Sequence, residues 1–303
     1  MIGGIGLGAG YVIPVSTIIK WFPDRRGLAT GLAIMGFGFA ALLTSPIAQA
    51  LIKAVGIVKT FYILGLVYFV VMIISAQFIK RPNEDEIPKV ENAKTTIKST
   101  FLDGKQFTAN EAVKTRSFRL LWLMFFINIT CGIGLVSAAS PMAQSMTGMS
   151  VAKAAVMVGI IGLFNGFGRL VSDYIGRPNT FSLIFIVDIL MLVLMLIFKL
   201  PFIFTIALCL LLSCYGAGFS VIPAYLGDVF GTKELGAIHG YVLTAWAVAG
   251  MVGPVLLSVT HELLHTYTVT IIAFIIIDVI ALFFSYHIRK DFVREIRNLR
   301  QEA

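Results

Sequence analysis

Ionisable side chains are scarce in this sequence, so the few that interrupt its apolar runs are where any chemistry must sit. Arg169 lies near the end of the run 152–171. Its planar guanidinium can hold a carboxylate through two parallel hydrogen bonds, a geometry an ammonium cannot match. Asn165, one helical turn earlier, falls on the same face. The competing reading is that Arg169 snorkels to the headgroups or braces the turn around Asp173. Asp188 and Asp278 stand in the middle of apolar runs with no basic neighbour in sequence. Charge at that depth is costly unless paired or protonated, which leaves a proton-carrying role and a neutral, hydrogen-bonded carboxyl both open. His239, His261, His265 and His287 fall at the ends of runs without metal-ligand spacing. Cys131, Cys209 and Cys214 read as small core residues. No nucleophile stands beside a base. These residue types suit holding an anion, with no catalytic, metal or cofactor chemistry expected.

What must position them is a set of membrane-crossing helices. Of 303 residues, 58% are hydrophobic and 13% charged, against about 25% charge in soluble domains. The mean hydropathy is +0.90. Apolar runs long enough to span a bilayer lie near 2–22, 27–52, 59–80, 118–141, 152–171, 180–199, 202–227, 236–258 and 267–287. Lipid offers no partner for backbone N–H and C=O groups, so such runs must be helical. The prediction is an all-α, polytopic membrane protein. Gly6-Leu-Gly-Ala-Gly10 lies inside a span with no strand before it, so it is not a nucleotide loop. Glycines at helical spacing (Gly4/Gly8, Gly6/Gly10, Gly27/Gly31, Gly162/Gly166) predict close helix contacts instead.

Part of the chain occurs twice. Gly216-Ala-Gly-Phe219 answers Gly8-Ala-Gly-Tyr11, Pro223 answers Pro14, and Gly236 and Gly240 answer Gly27 and Gly31. The offset is 208 residues before a short polar break and 209 after it. Spans one to three thus match spans seven to nine in the same orientation, while spans four to six have no earlier partner. A symmetric protein would carry three further spans ahead of Met1, so the expectation is the last nine helices of a twelve-helix protein. Twenty of the 24 Lys and Arg residues fall in alternate breaks, which marks those breaks and the tail as cytoplasmic. The expected organisation is three helices of the first half in 1–80, a cytoplasmic linker at 81–117, a six-helix half in 118–288 and an amphipathic cytoplasmic tail at 289–303.

Several stretches resemble the oxalate/formate antiporter branch of the major facilitator superfamily, near the monocarboxylate transporters. They are Gly10-Tyr-Val-Ile-Pro14 with Lys20-Trp-Phe-Pro-Asp-Arg-Arg-Gly-Leu-Ala-Thr-Gly31, Asn165-Gly-Phe-Gly-Arg169, Ser172-Asp-Tyr-Ile-Gly-Arg177, Ile222-Pro-Ala-Tyr-Leu-Gly-Asp-Val-Phe-Gly-Thr-Lys233 and Gly236-Ala-Ile-His-Gly-Tyr-Val-Leu-Thr-Ala-Trp246. The resemblance implies a multi-pass transporter of the plasma (inner) membrane, a monomer, that exchanges a small organic anion or moves it with protons. It implies Arg169 as the anion contact, with Asn165, Tyr11, Tyr241 and Trp246 lining the cavity. Asp173 and Arg177, with Asp24, Arg25 and Arg26, would act as cytoplasmic latches. Where a dicarboxylate exchanger of this branch has a lysine, this chain has Trp246, which favours a monocarboxylate. One departure stands out: only Leu170 and Val171 separate Arg169 from Ser172, where the family has another turn, about 5 Å of rise. That would draw Arg169 toward the cytoplasmic surface or else shift the following loop inward. The net charge of +8 belongs to cytoplasmic loops and calls for no nucleic acid. The rival reading is a shortened, non-transporting membrane protein, a relic or a sensor.

Single cysteines placed at Lys94 and Asn298 are expected to react with a membrane-impermeant maleimide only from the cytoplasmic face, and one at Lys199 only from outside. Labelling of Lys94 and Asn298 only from outside, and of Lys199 only from the cytoplasmic face, would reverse the orientation.

Overall fold

A computed structural model of the chain describes residues 2–22, 26–80, 82–83, 106–171 and 177–302. Ten helices follow one another: α1 Ile2–Trp21, α2 Arg26–Val55, α3 Ile57–Ala76, α4 Ala109–Lys114, α5 Arg116–Thr147, α6 Val151–Val171, α7 Arg177–Ile197, α8 Pro201–Phe230, α9 Leu235–Leu264 and α10 Thr268–Glu302. Each predicted run has its helix. Among the described residues, α3 and α5 to α10 are long and apolar enough to cross a membrane. α3 shows why the solvent must be lipid. It is almost wholly exposed, with Phe61 at 74% and Tyr62 at 75%, a surface that water would drive into aggregation.

The differences from the sequence reading are at the ends. α5 and α9 run past the apolar windows because nothing in the flanking polar turns stops them; α5 closes at Gly148, which takes a left-handed φ of 68°. α5 also bends at Ala138, whose φ of −123° is not helical, three residues before Pro141. A proline ring clashes with the preceding turn and opens the helix there. The tail is helical, but α10 is unbroken from Thr268 to Glu302, so it extends the last span and forms no separate surface helix. No Gly or Pro lies between His287 and Glu302 to interrupt it.

The end of the expected linker is ordered. Thr108 caps α4 in a reciprocal capping box with Glu111. Phe107 N–H donates to the Phe230 carbonyl (3.0 Å), Gln106 Oε1 accepts from the N–H groups of Thr232 (2.9 Å) and Lys233 (3.0 Å), and Glu234 Oε2 accepts from Ala109 N–H (2.8 Å). Phe107 and Ala112 are buried. The segment is thereby stitched onto the turn between α8 and α9.

α5 packs most extensively on α9, α6 on α8, and α10 with α8 on α7, while α2 packs against α6. Two apolar cores result. One, around Phe125, Phe219, Tyr225 and Phe230, includes Tyr11, Val15, Ile19 and Ile34 of α1 and α2. The other, around Leu135, Met142, Phe204 and Phe274, is built from α5 to α10 without them. Of the glycines at helical spacing, which also include Gly250 and Gly253 ahead of Pro254, Gly253 does mark a close approach; Gly168 and Gly216 mark two more that the spacing did not single out. A Cβ on Gly168 would overlap the Ser213 backbone, and one on Gly216 would overlap Asn165. One on Gly253 would sit 2.5 Å from the Thr130 carbonyl oxygen. The positions of a Cβ on Gly4, Gly6, Gly8, Gly10 and Gly162 have nothing within 4 Å; α1 meets its neighbours through the stripe Tyr11, Val15, Ile19 instead.

Gly168→Ala is expected to lower the stability of the purified protein by about 1–3 kcal/mol through overpacking. Gly159→Ala, on the same helix with open space at its Cβ, should leave it unchanged or raise it by less than about 1 kcal/mol. Thermal unfolding in detergent compares the two.

Candidate functional site

Gly168 brings α6 against α8, and the next residue, Arg169, is thereby placed in the seam where α2, α6 and α8 meet. Its side chain is buried, 6% exposed; it does not snorkel to the surface, although α6 ends only two residues later at Val171. Nη1 donates to the Ile34 carbonyl of α2 at 3.0 Å. The guanidinium carbon lies 5.5 Å from the ring centroid of Phe219 on α8, the distance of a cation–π contact. One turn before Ile34, Thr30 Oγ1 donates to the Ser220 carbonyl at 3.1 Å. Two bonds to main-chain oxygen therefore tie α2 to α6 and α8, and the second, from Thr30 to Ser220, crosses between the two copies of the repeat.

Phe219 is the hub of an aromatic shell. Edge-to-face contacts join it to Phe125 of α5 (5.2 Å), Trp246 of α9 (5.4 Å), Tyr215 of α8 (5.7 Å) and Tyr11 of α1 (6.2 Å). Tyr11 also lies 6.5 Å from Trp246 and 5.6 Å from His239. Tyr11 and Tyr215 are close enough to act electrostatically on Arg169. The result is one cation in a low-dielectric shell, where polar interactions are strong. The shell draws on α1, α5, α8 and α9, and the guanidinium is the cationic group beside its rings. A carboxylate is the group a guanidinium fork is shaped to take.

The predicted residues separate on inspection. Arg169, Tyr11 and Trp246 come together. Asn165 packs its carbonyl group against Gly216 between α6 and α8, and its Oδ1 is buried with no hydrogen-bond donor among the described residues. Tyr241 is 47% exposed and takes no part in the aromatic shell; Thr244 Oγ1 donates to its carbonyl (2.7 Å) and accepts from Trp122 Nε1 (2.9 Å). Asp24, Arg25 and Asp173 lie outside the described residues. Arg26 and Arg177 begin α2 and α7, but their side chains are outside them too. Two members of the shell were missed as such. His239 reads in sequence as a helix-end histidine, yet it is 1% exposed, with neither ring nitrogen hydrogen-bonded among the described residues. Phe219 was visible only as the repeat partner of Tyr11. Among the described residues no group of three or more His, Cys, Asp or Glu could hold a metal ion.

The profile of the Major Facilitator Superfamily matches residues 1–254. An oxalate:formate antiporter of Oxalobacter formigenes is 31% identical over 258 residues, covering 83% of this chain and 59% of that protein. Apicoplast pyruvate carrier 1 of Toxoplasma gondii is 21% identical over 304 residues, covering 80% of this chain and 55% of the carrier. The chain thus spans little more than half the length of these relatives. Among solved structures, the Escherichia coli fucose:proton symporter FucP in its outward conformation superposes with a TM-score of 0.71 at 12% identity, over 94% of this chain and 73% of that one. That likeness concerns the fold.

Phe219→Ala is expected to remove about 3–5 kcal/mol of stability, because it hollows the shell and strips the cation of its ring. Tyr241→Ala should change stability by no more than about 0.5 kcal/mol. Equal losses in thermal unfolding would mean that Phe219 is no hub.

Proposed function

The chain belongs to the major facilitator superfamily, and we propose that it moves a small organic anion, a monocarboxylate, across the membrane by alternating access. The observation that carries this reading is Arg169, a buried cation at the seam between the two repeats, with its guanidinium framed by Phe219, Tyr11 and Trp246. The arriving carboxylate takes the guanidinium fork in place of the Ile34 carbonyl. Tyr11 and Trp246 shape the space beside it, and Asn165, one turn away on α6, offers an amide. Trp246 adds no second cation, so a single carboxylate is the better match. The relatives support the substrate class, one being an oxalate:formate antiporter and another a pyruvate carrier.

Rocking of the repeats would separate α2 from α6 and α8, breaking Arg169 to Ile34 and Thr30 to Ser220 in one state and remaking them in the other. Neither bond involves a second charge, so breaking them costs less than parting a buried ion pair. The polar breaks at Asp24-Arg25-Arg26 and Asp173-Arg177 serve as latches on the cytoplasmic side. The protein sits in the plasma (inner) membrane as a monomer with its C-terminus in the cytoplasm, and transport proceeds as antiport or proton symport.

Uptake of labelled acids into reconstituted vesicles tests this. Losing a charge-assisted bidentate contact, worth about 1.5–3 kcal/mol, should cut monocarboxylate uptake by about tenfold to a hundredfold in Arg169→Ala. Trp246→Lys should shift preference toward dicarboxylates. Unchanged uptake in Arg169→Ala, in protein that still unfolds cooperatively, would remove Arg169 from the site.

A further inference from the structure

Away from the seam, the six-helix half encloses a second polar feature. Asp188 of α7 is 2% exposed and Asp278 of α10 is 0% exposed. Neither oxygen of Asp278, and not Oδ1 of Asp188, has a hydrogen-bond partner among the described residues. The helix register brings the two carboxyls level. Ser182 of α7 and Ser285 of α10 are hydrogen-bonded at 2.8 Å, and the two helices, three spans apart, run antiparallel. From that pair Asp188 lies six residues further along α7, about 9 Å of rise, and Asp278 seven residues back along α10, about 10.5 Å. Both displacements point away from the cytoplasmic end. The titratable groups coupled to the pair are Cys214 from α8, within hydrogen-bonding reach of Asp188, and Cys131 from α5; each carboxyl also acts on the other across α7 and α10. None of these is a cation.

We propose that Asp188 and Asp278 form a proton-binding site inside this half, holding a proton between α7 and α10 at neutral pH. Two ionised carboxylates at one height on α7 and α10, with the Cys214 thiol as a donor to Asp188 and no cation beside them among the described residues, would carry both desolvation and like-charge repulsion. One shared proton removes the repulsion and gives Asp278, which has no partner among the described residues, its hydrogen bond: the O–H of one carboxyl donates to an oxygen of the other. The Cys214 thiol donates to Asp188. The bridge holds α7, the outer helix, to α10. The site stands apart from Arg169 and does not rest on the anion reading. Its ligand is the proton, since two carboxyls and two thiols offer too few oxygens for a hard cation.

Infrared spectra of the purified chain in detergent, compared with Asp188→Asn, Asp278→Asn and the double variant, test it. The unmodified protein should show a carboxylic-acid C=O band at neutral pH that the double variant lacks. Raising the pH should bleach this band, and the thermal midpoint should fall over the same range. Stability held by a proton is present at low pH and lost as the proton leaves. The double variant, whose amides mimic the protonated state, should have a midpoint that is flat with pH. Absence of the band at neutral pH in unmodified protein overturns the proposal. So does a midpoint that follows sodium concentration and ignores pH, which would assign a metal cation. If the Asn variants fail to fold, the titration of the unmodified protein decides.

Discussion

A guanidinium placed in the middle of a membrane protein has to be given partners, and the seam around Arg169 is arranged to provide them. The bare cost of desolvating an ion is far larger than any one contact can return. Arg169 meets it with a carbonyl oxygen on α2, the face of Phe219 and the phenols of Tyr11 and Tyr215. These four partners are neutral and come from three helices, α1, α2 and α8. α2 must therefore lie against α6, and α6 must lie close enough to α8 for the ring to reach. Gly168 and Gly216 make that second approach possible by having no side chain where the helices touch.

The internal repeat gives this seam its geometry. Tyr11 and Phe219 occupy equivalent positions in the two copies, and they touch, ring against ring, at 6.2 Å. Equivalent residues of two copies can meet only near the axis that relates them. Arg169 sits beside that contact, so a group held there is reached by both halves of the structure. The second core is built from α5 to α10 alone. Its polar residues, Asp188 and Asp278, are enclosed by helices of one half.

Polar groups elsewhere follow the rule that lipid imposes. Hydroxyls turn back to their own helix, as Thr130 does to Phe126 and Thr147 to Ala143, which satisfies them without a partner helix. Cross-helix polar contacts are kept for particular places. Ser182 meets Ser285, Thr260 meets Thr270, and Thr30 meets the Ser220 carbonyl. At the turn between α8 and α9, Gln106 and Glu234 use side-chain oxygens to accept main-chain N–H groups left over where α8 ends and α4 begins.

Most of the architecture was legible before any coordinates, because a bilayer demands runs of a set length and a helix for each. Hydropathy alone located the long helices, and duplication alone related the first three to the last three. Arg169 and Trp246 stood out as side chains of unusual type at their depth. Windows of hydropathy could not tell where helices end, since helices stop at caps, glycines and prolines. Hence α5 and α9 overran their windows, α4 formed at the end of a stretch read as linker, and α10 ran on to Glu302. Which neighbours fill a helix face is a property of packing, so only the tertiary structure decided that Asn165 meets Gly216 while Tyr241 stays exposed. The same reason hid His239, whose helix-end position says nothing about the ring of Tyr11 that closes over it. Composition and periodicity determine that a residue lies in the membrane; what it touches there depends on residues far along the chain, such as Ser220, 190 positions from Thr30, and Trp246, 235 positions from Tyr11.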